Sequence, residues 1–218
     1  MAATLRSVLD DVAAFIDQDT TLATGTELTV RVNLINQAQK EWAEAYQWKQ
    51  LIQPAVLSFA LSGTSVGLQT NFNRLTSGVY DVSVSPNVLY EEIPLSERFR
   101  KNSQDKYVLV GGNDVSGKYI VFNPGMASGV SLNYYYLSTP SSLATLSDVP
   151  TCPSDEFLAK RTIAYILQAR SDSRFPLLKA ESDDLLANMI DDEATISGGQ
   201  NNRTPDYFRK NNFRVGRE

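Results

Sequence analysis

The stretch RVNLINQAQKEWAEAYQWKQL, residues 31–51, decides how this chain is organised. Leu28, Val32, Ile35, Trp42 and Ala45 recur in and beside it at helical spacing and would share one face. The pattern predicts one long helix, capped at Thr26 and running to about Trp48. Pro54 marks the exit, because proline removes a backbone donor and restricts the residue before it. Helical periodicity does not return until about residue 154.

Upstream, Leu5, Val8, Leu9, Val12, Phe15 and Ile16 form an apolar stripe that predicts a helix from Thr4 to Asp17. The connector QDTTLATG has helix-hairpin length, so residues 1–50 are expected to form an antiparallel helical hairpin. Downstream, the period shortens. AVLSFAL, GVYDVSVSP, KYVLVGG, KYIVFNPG and GVSLNYYYLSTP are β-rich runs separated by Gly, Asn, Ser and Pro. SERFRKN, residues 96–102, fits a single helical turn or a loop. Residues 51–142 are therefore expected to be a β-rich insertion of five to seven strands, in a small sandwich or rolled sheet. Tyr134–Tyr136 fits either an exposed aromatic edge or a strand packed on both faces. Residues 143–196 return to helix. One helix starts at Ser154, with Asp155 and Glu156 in its first turn, and a second starts near Phe175. Residues 197–218 are read as an extended basic and aromatic tail. The expected fold class is α+β: a small bundle of about four helices interrupted by a sandwich-like β insertion, with that tail at the end.

The totals narrow the function. With 218 residues the chain can bury roughly 70 % of its unfolded surface. No apolar run approaches the ~20 residues of a membrane-spanning helix. The amphipathic start MAATLRSVLDD does not resemble a secretory signal, so synthesis in a cytoplasm without export is expected. The single cysteine, Cys152, forbids an intrachain disulfide, and the absence of histidine removes the usual serine and cysteine triads and most zinc sites. Residues 1–53 carry 4 basic and 7 acidic side chains, 54–150 carry 6 and 7, 151–199 carry 5 and 9, and 200–218 carry 5 and 2. Such an acidic body would be repelled by DNA phosphates.

Motifs that resemble chemistry have plainer explanations. Gly112–Lys118 fits the first seven positions of a phosphate-binding loop, G-x-x-x-x-G-K. Tyr119 stands where the magnesium-binding Ser or Thr belongs, and YIVF follows where a helix is needed, so a hairpin turn is expected. The carboxylate groups Asp10-Asp11, Glu91-Glu92, Asp183-Asp184 and Asp191-Asp192-Glu193 lack calcium-loop spacing; those on helices are expected to face solvent, or else a subunit interface. No catalytic residue, metal site or cofactor is expected. Trp42 and Trp48 are read as structural anchors, Trp42 in the core and Trp48 at the helix-to-strand junction. In the tail, Tyr207, Phe208 and Phe213 interleave with Arg203, Arg209, Lys210, Arg214 and Arg217. Disordered segments normally avoid aromatics, and aromatic and arginine side chains anchor interfaces. Tyr207, Phe208, Arg209, Lys210, Phe213 and Arg214 are the candidate binding residues.

This order of elements resembles the adaptor (connector, head-completion) proteins at the head-to-tail interface of tailed bacteriophages. The resemblance rests on Arg31, Leu34, Ile35, Asn36, Ala38 and Trp48, and on Asp148, Pro150, Pro153 and Phe157 of the return. It implies a small helical bundle carrying a β domain. It also implies a ring of copies under the portal protein, usually a dodecamer, joined to a tail or nozzle protein. Double-stranded DNA would cross the ring without specific binding, and no membrane is involved. The implied place is the virion neck, and the tail residues would grip the portal or a neighbouring copy. The other readings are a tail terminator or capsid decoration protein, a wall hydrolase using carboxylates roughly 5–9 Å apart, and a small ligand-binding module.

Overall fold

Leu5–Ile16 forms the first helix (α1) because its apolar positions fall on one stripe and its start is capped twice. The Thr4 hydroxyl accepts from the Ser7 N–H, and the Ser7 hydroxyl accepts from the Thr4 N–H at 3.0 Å. Two further first-turn donors reach the return segment, Leu5 N–H to the Asp148 carbonyl at 2.7 Å and Arg6 N–H to that of Leu146 at 3.1 Å. The other helices are Gly25–Ala45 (α2), Asp155–Ala169 (α3) and Phe175–Ile196 (α4). The computed structural model describes residues 4–18, 21–59, 63–113 and 117–196. The chain divides into two compact units, residues 1–47 with 140–218, and residues 48–139.

In the helical unit α3 is central. Nine of its fifteen residues are buried, and it packs against α1, α2 and α4. Helices α1 and α2 touch each other, and both also pack on α3, which carries more of the contact. The Ser154 hydroxyl caps α3 by accepting from the Phe157 N–H at 3.1 Å. Helix α2 differs from expectation at both ends. Its N-cap is Thr24, two residues before Thr26, and it stops at Ala45, where Tyr46 turns to extended backbone. Trp42 therefore lies within the helix and is fully buried. Trp48 lies outside it, 1 % exposed, at the start of the short 3₁₀ turn Lys49–Leu51 that opens the second unit.

Among the described residues the second unit holds eight strands: Ile52–Ser58 (β1), Gly63–Gly67 (β2), Phe72–Leu75 (β3), Val79–Asp81 (β4), Val88–Glu92 (β5), Tyr107–Asn113 (β6), Gly117–Met126 (β7) and Ser131–Ser138 (β8). They hydrogen-bond in the order β1-β8-β4-β5-β6-β7-β2. β1 runs along one side of β8, while β4 and β3 share its other side, at 132–133 and 136–138. Pro54 is tolerated within β1 because β1 is an edge strand.

The expected bundle with a sandwich-like insertion is overturned here. A sandwich has two sheets with separate edges, whereas this is one mixed sheet that curls into a half-barrel. Its two halves are joined by β5, which is antiparallel to β4 and parallel to β6 through Glu91 and Glu92. The curl brings distant parts of the sheet together. Phe59, just past β1, meets Phe122 on β7 edge to face with centroids 5.5 Å apart, and the Lys118 ammonium on β7 donates to the Phe72 carbonyl on β3 at 2.8 Å. Phe72, Val79, Tyr90, Val108, Ile120, Leu132 and Tyr134 fill the concave face. The expected tail lies outside the described residues.

Two strand-level expectations also change. VYDVSVS alternates over its whole length, yet β4 ends at Asp81. That carboxylate accepts from the Ser83 N–H at 2.9 Å and from its hydroxyl, an Asx turn that competes with the ladder. Tyr134–Tyr136 is no edge, since β8 has partners on both sides. Tyr134 and Tyr136 are buried and Tyr135 is 51 % exposed.

Candidate interaction surface

Within the helical unit, α2 holds the returning chain by a clasp of two side-chain amides. Asn36 accepts from the Leu143 N–H at 2.7 Å and donates to the Leu143 carbonyl at 3.0 Å. One turn on, buried Gln39 accepts from the Thr151 N–H at 2.7 Å and donates to the Ser141 carbonyl at 3.0 Å. Asp148 closes the turn between them, accepting from the N–H groups of Ala144 and Thr145 and from the Thr145 hydroxyl. Those hydrogen bonds hold its carboxyl below the usual carboxylate range. Amides suit this task because each offers a donor and an acceptor to an irregular segment outside any sheet.

Two buried arginines, which composition and periodicity do not single out, tie the helices together. Arg31 on α2 is 3 % exposed, and its guanidinium meets Asp17, just past α1, at 2.8 Å and Glu27 at 2.5 Å. Arg161 on α3 is 2 % exposed. It bonds Asp183 on α4 at 2.5 Å, lies 3.5 Å from Glu41 on α2, and sits over the Phe157 ring at 5.6 Å. The Tyr165 hydroxyl donates to Glu41, and the Lys179 ammonium meets Asp183 at 2.6 Å. Burial and the bond to Glu41 push the Tyr165 phenol up. Burial would raise Asp183, but its hydrogen bonds to Lys179 and Arg161 and their charges outweigh that and hold it low. The available signals were the Glu27–Arg31 spacing of four, and the placement of Arg161 one turn from both Phe157 and Tyr165.

A groove of about 470 Å³ lies between α2 and α3. Val30, Leu34, Ile166 and Ala169 form its apolar walls, and Thr26, Glu27, Arg31 and Arg170 complete its lining. Val30 is 49 % exposed. In the sheet unit, the 3₁₀ turn Leu95–Arg100 presents Phe99 at 90 % exposure and Leu95 at 68 %. The sequence predicts only a single helical turn or a loop here. The loop behind it is built: the Asn123 amide donates to the carbonyls of Asn102, Ser103 and Asp105, and the Asp105 carboxylate accepts from the Asn102 N–H at 2.8 Å.

The other sequence candidates do not converge. Tyr207, Phe208, Arg209, Lys210, Phe213 and Arg214 lie outside the described residues. Gly112 and Gly117 sit on the paired strands β6 and β7, with Gly112 opposite Lys118, which is a hairpin and not a phosphate loop. Glu91 and Glu92 are neighbours on β5 and point to opposite faces. Asp183 is an ion-pair member, and no group of three His, Cys, Asp or Glu that could hold a metal occurs among the described residues. Cys152 is 4 % exposed, and burial pushes its thiol up to about 12. Charge is partitioned sharply. Residues 1–47 and 140–196 carry 8 basic and 17 acidic side chains, residues 48–139 carry 7 and 6, and residues 197–218 carry 5 and 2.

No model of a known protein family matches this sequence, and comparison with curated proteins finds no match either.

Proposed function

We propose that this chain is a non-catalytic structural adaptor of a tailed-phage neck, forming a ring of copies that joins the portal to the tail and lines the DNA channel. The observation that carries the reading is the clasp. Asn36 and Asp148 are among the residues that resemble the adaptor pattern; Asn36 holds the return segment to α2, and the Asp148 carboxylate closes the turn within that segment. A second support is the charge partition. An acidic helical unit lining a channel would keep DNA from adhering, and a basic, aromatic tail suits docking on a protein.

The test is the copy number of this chain in purified virus particles, measured by quantitative mass spectrometry against the major capsid protein. A single neck ring requires about a dozen copies per particle. Hundreds of copies would place the protein in the shell or tail tube, and absence from particles would discard the reading.

A further inference from the structure

We propose that the chain's own tail, residues 203–214, docks on one end of its helical unit, the end formed by segment 146–149, the start of α3 and the last turns of α4. The inference rests on the adaptor reading only for what displaces the tail, the portal; the contact itself stands on other observations.

The first is where the tail begins. Helices α3 and α4 run antiparallel, since Lys160 meets Glu181 at 3.1 Å and Arg161 meets Asp183 at 2.5 Å. That register sets the first residue of α3 beside about residue 188, so α4, which ends at Ile196, runs roughly 12 Å past it. Segment 146–149 lies at the same end. Only five positions separate Val149 from the Ser154 cap, and the segment's carbonyls accept from the first turn of α1, whose Asp11 carboxyl feels the charge of Asp155. Tyr207 follows Ile196 by eleven residues. An extended chain spans up to about 3.5 Å per residue, so that ring reaches the site with slack.

The second is chemistry. Val149 is 56 % exposed and Leu146 38 %, so the segment offers apolar surface beside the helix ends. Around it Asp11, Asp148, Asp155, Asp191 and Asp192 form no ion pair among the described residues, while the nearby cations Arg6 and Lys160 are taken up by Asp10 and by Glu156 and Glu181. Burial raises the Asp11 carboxyl, and the charges of Asp155 and Asp10 raise it further, a repulsion that an added cation relieves. The negative end of the α4 dipole falls at the same place. The tail brings the complement: residues 203–214 hold Arg203, Arg209, Lys210 and Arg214 against Asp206, with Tyr207, Phe208 and Phe213 among them. Another copy's tail has the same chemistry, but only the chain's own tail starts at the site, and a short tether gives it a local concentration on the order of millimolar. Docked, it keeps its aromatic anchors out of water until a partner competes for them.

The experiment treats dilute full chain with a carbodiimide, which condenses a lysine amine with a carboxylate to an amide, and reads the joined peptides by mass spectrometry. Lys210 is the tail's only lysine, and it should join Asp155, Asp191 or Asp192 within the monomer at every concentration. In parallel, trypsin cleavage after Arg209 and Lys210 reports the undocked form. It should quicken at least about threefold in a chain carrying Val149→Ser, Asp191→Asn and Asp192→Asn, with the melting temperature unchanged, and likewise at high salt in the native chain. A free peptide of residues 200–218 should show neither the cross-link nor the salt effect. If the variant fails to fold, the cross-links and the salt arm still decide. Joining only between copies, no link from Lys210 to this end, or cleavage indifferent to salt would each overturn the proposal. An undocked tail on a chain that still captures the portal would discard this contact and leave the adaptor reading standing. A docked tail on a chain absent from virus particles would do the reverse.

Discussion

At the scale of single residues, the decisive groups are polar side chains placed where water cannot serve them. Asn36 is the clearest. Leu143 is 5 % exposed, and its N–H and C=O both depend on this one amide. Asn36→Ala should therefore lower the unfolding free energy by about 2–3 kcal/mol, read from urea denaturation, because two buried backbone groups lose their partner at once. Asn36→Asp should restore only the acceptor half. Asp183 makes a prediction of a different kind. Its carboxyl is held below the ordinary value, so the folded state binds its proton less readily than the unfolded chain does. Its stabilising contribution is then fully present above the unfolded pKa and is lost as the pH falls below about 4 towards the depressed folded value. The melting temperature should fall across that window in the native chain, and Asp183→Asn should flatten that part of the profile while lowering stability at neutral pH. A wild-type curve that matches the variant at every pH would remove Asp183 from the account.

At the scale of elements, what could be read from sequence was whatever a local rule controls. The Ser154 cap, the acidic first turn of α3, the start of α4 at Phe175 and the hairpin between β6 and β7 all follow from spacing and turn chemistry within a few residues. The end of α2 did not follow, because alternation of apolar residues continues through Trp48 while the backbone turns extended at Tyr46. The sheet's closure did not follow either. Each strand alternates identically whether its inner face meets a second sheet or the far side of its own. Nothing local distinguishes a sandwich from a curled sheet joined by two parallel residues of β5. The burial and pairing of Arg31 and Arg161 did not follow for a related reason, since a charge on a helix looks solvated until its partners on other helices are known. The hairpin makes its own prediction. Gly112 has φ +88°, and a Cβ there would sit 2.1 Å from the Gly117 carbonyl oxygen. Gly112→Ala should cost about 1–3 kcal/mol of stability, visible as a lowered denaturation midpoint, with no nucleotide able to offset it.

At the scale of the whole molecule, charge separates the chain into parts with different tasks. The helical residues are strongly acidic, the sheet unit is nearly balanced, and residues 197–218 carry an excess of three positive charges together with Tyr207, Phe208 and Phe213. A terminal segment of that composition is net basic against an acidic body, and it offers aromatic and arginine anchors to a partner. If it works as the adaptor reading requires, its contribution is to binding and not to the stability of the body. Deleting residues 200–218 should then leave the melting temperature of the remaining chain within a degree or so of the full chain, while abolishing capture of the portal in a pull-down. Graded replacement of Arg209, Lys210 and Arg214 by alanine should weaken capture in steps and reduce its salt dependence, because each removes one charge from the contact. Replacing Phe208 and Phe213 should weaken capture without changing the salt dependence. Unaltered portal binding by the truncated chain would remove the tail from the mechanism and leave any grip on the portal to the folded units.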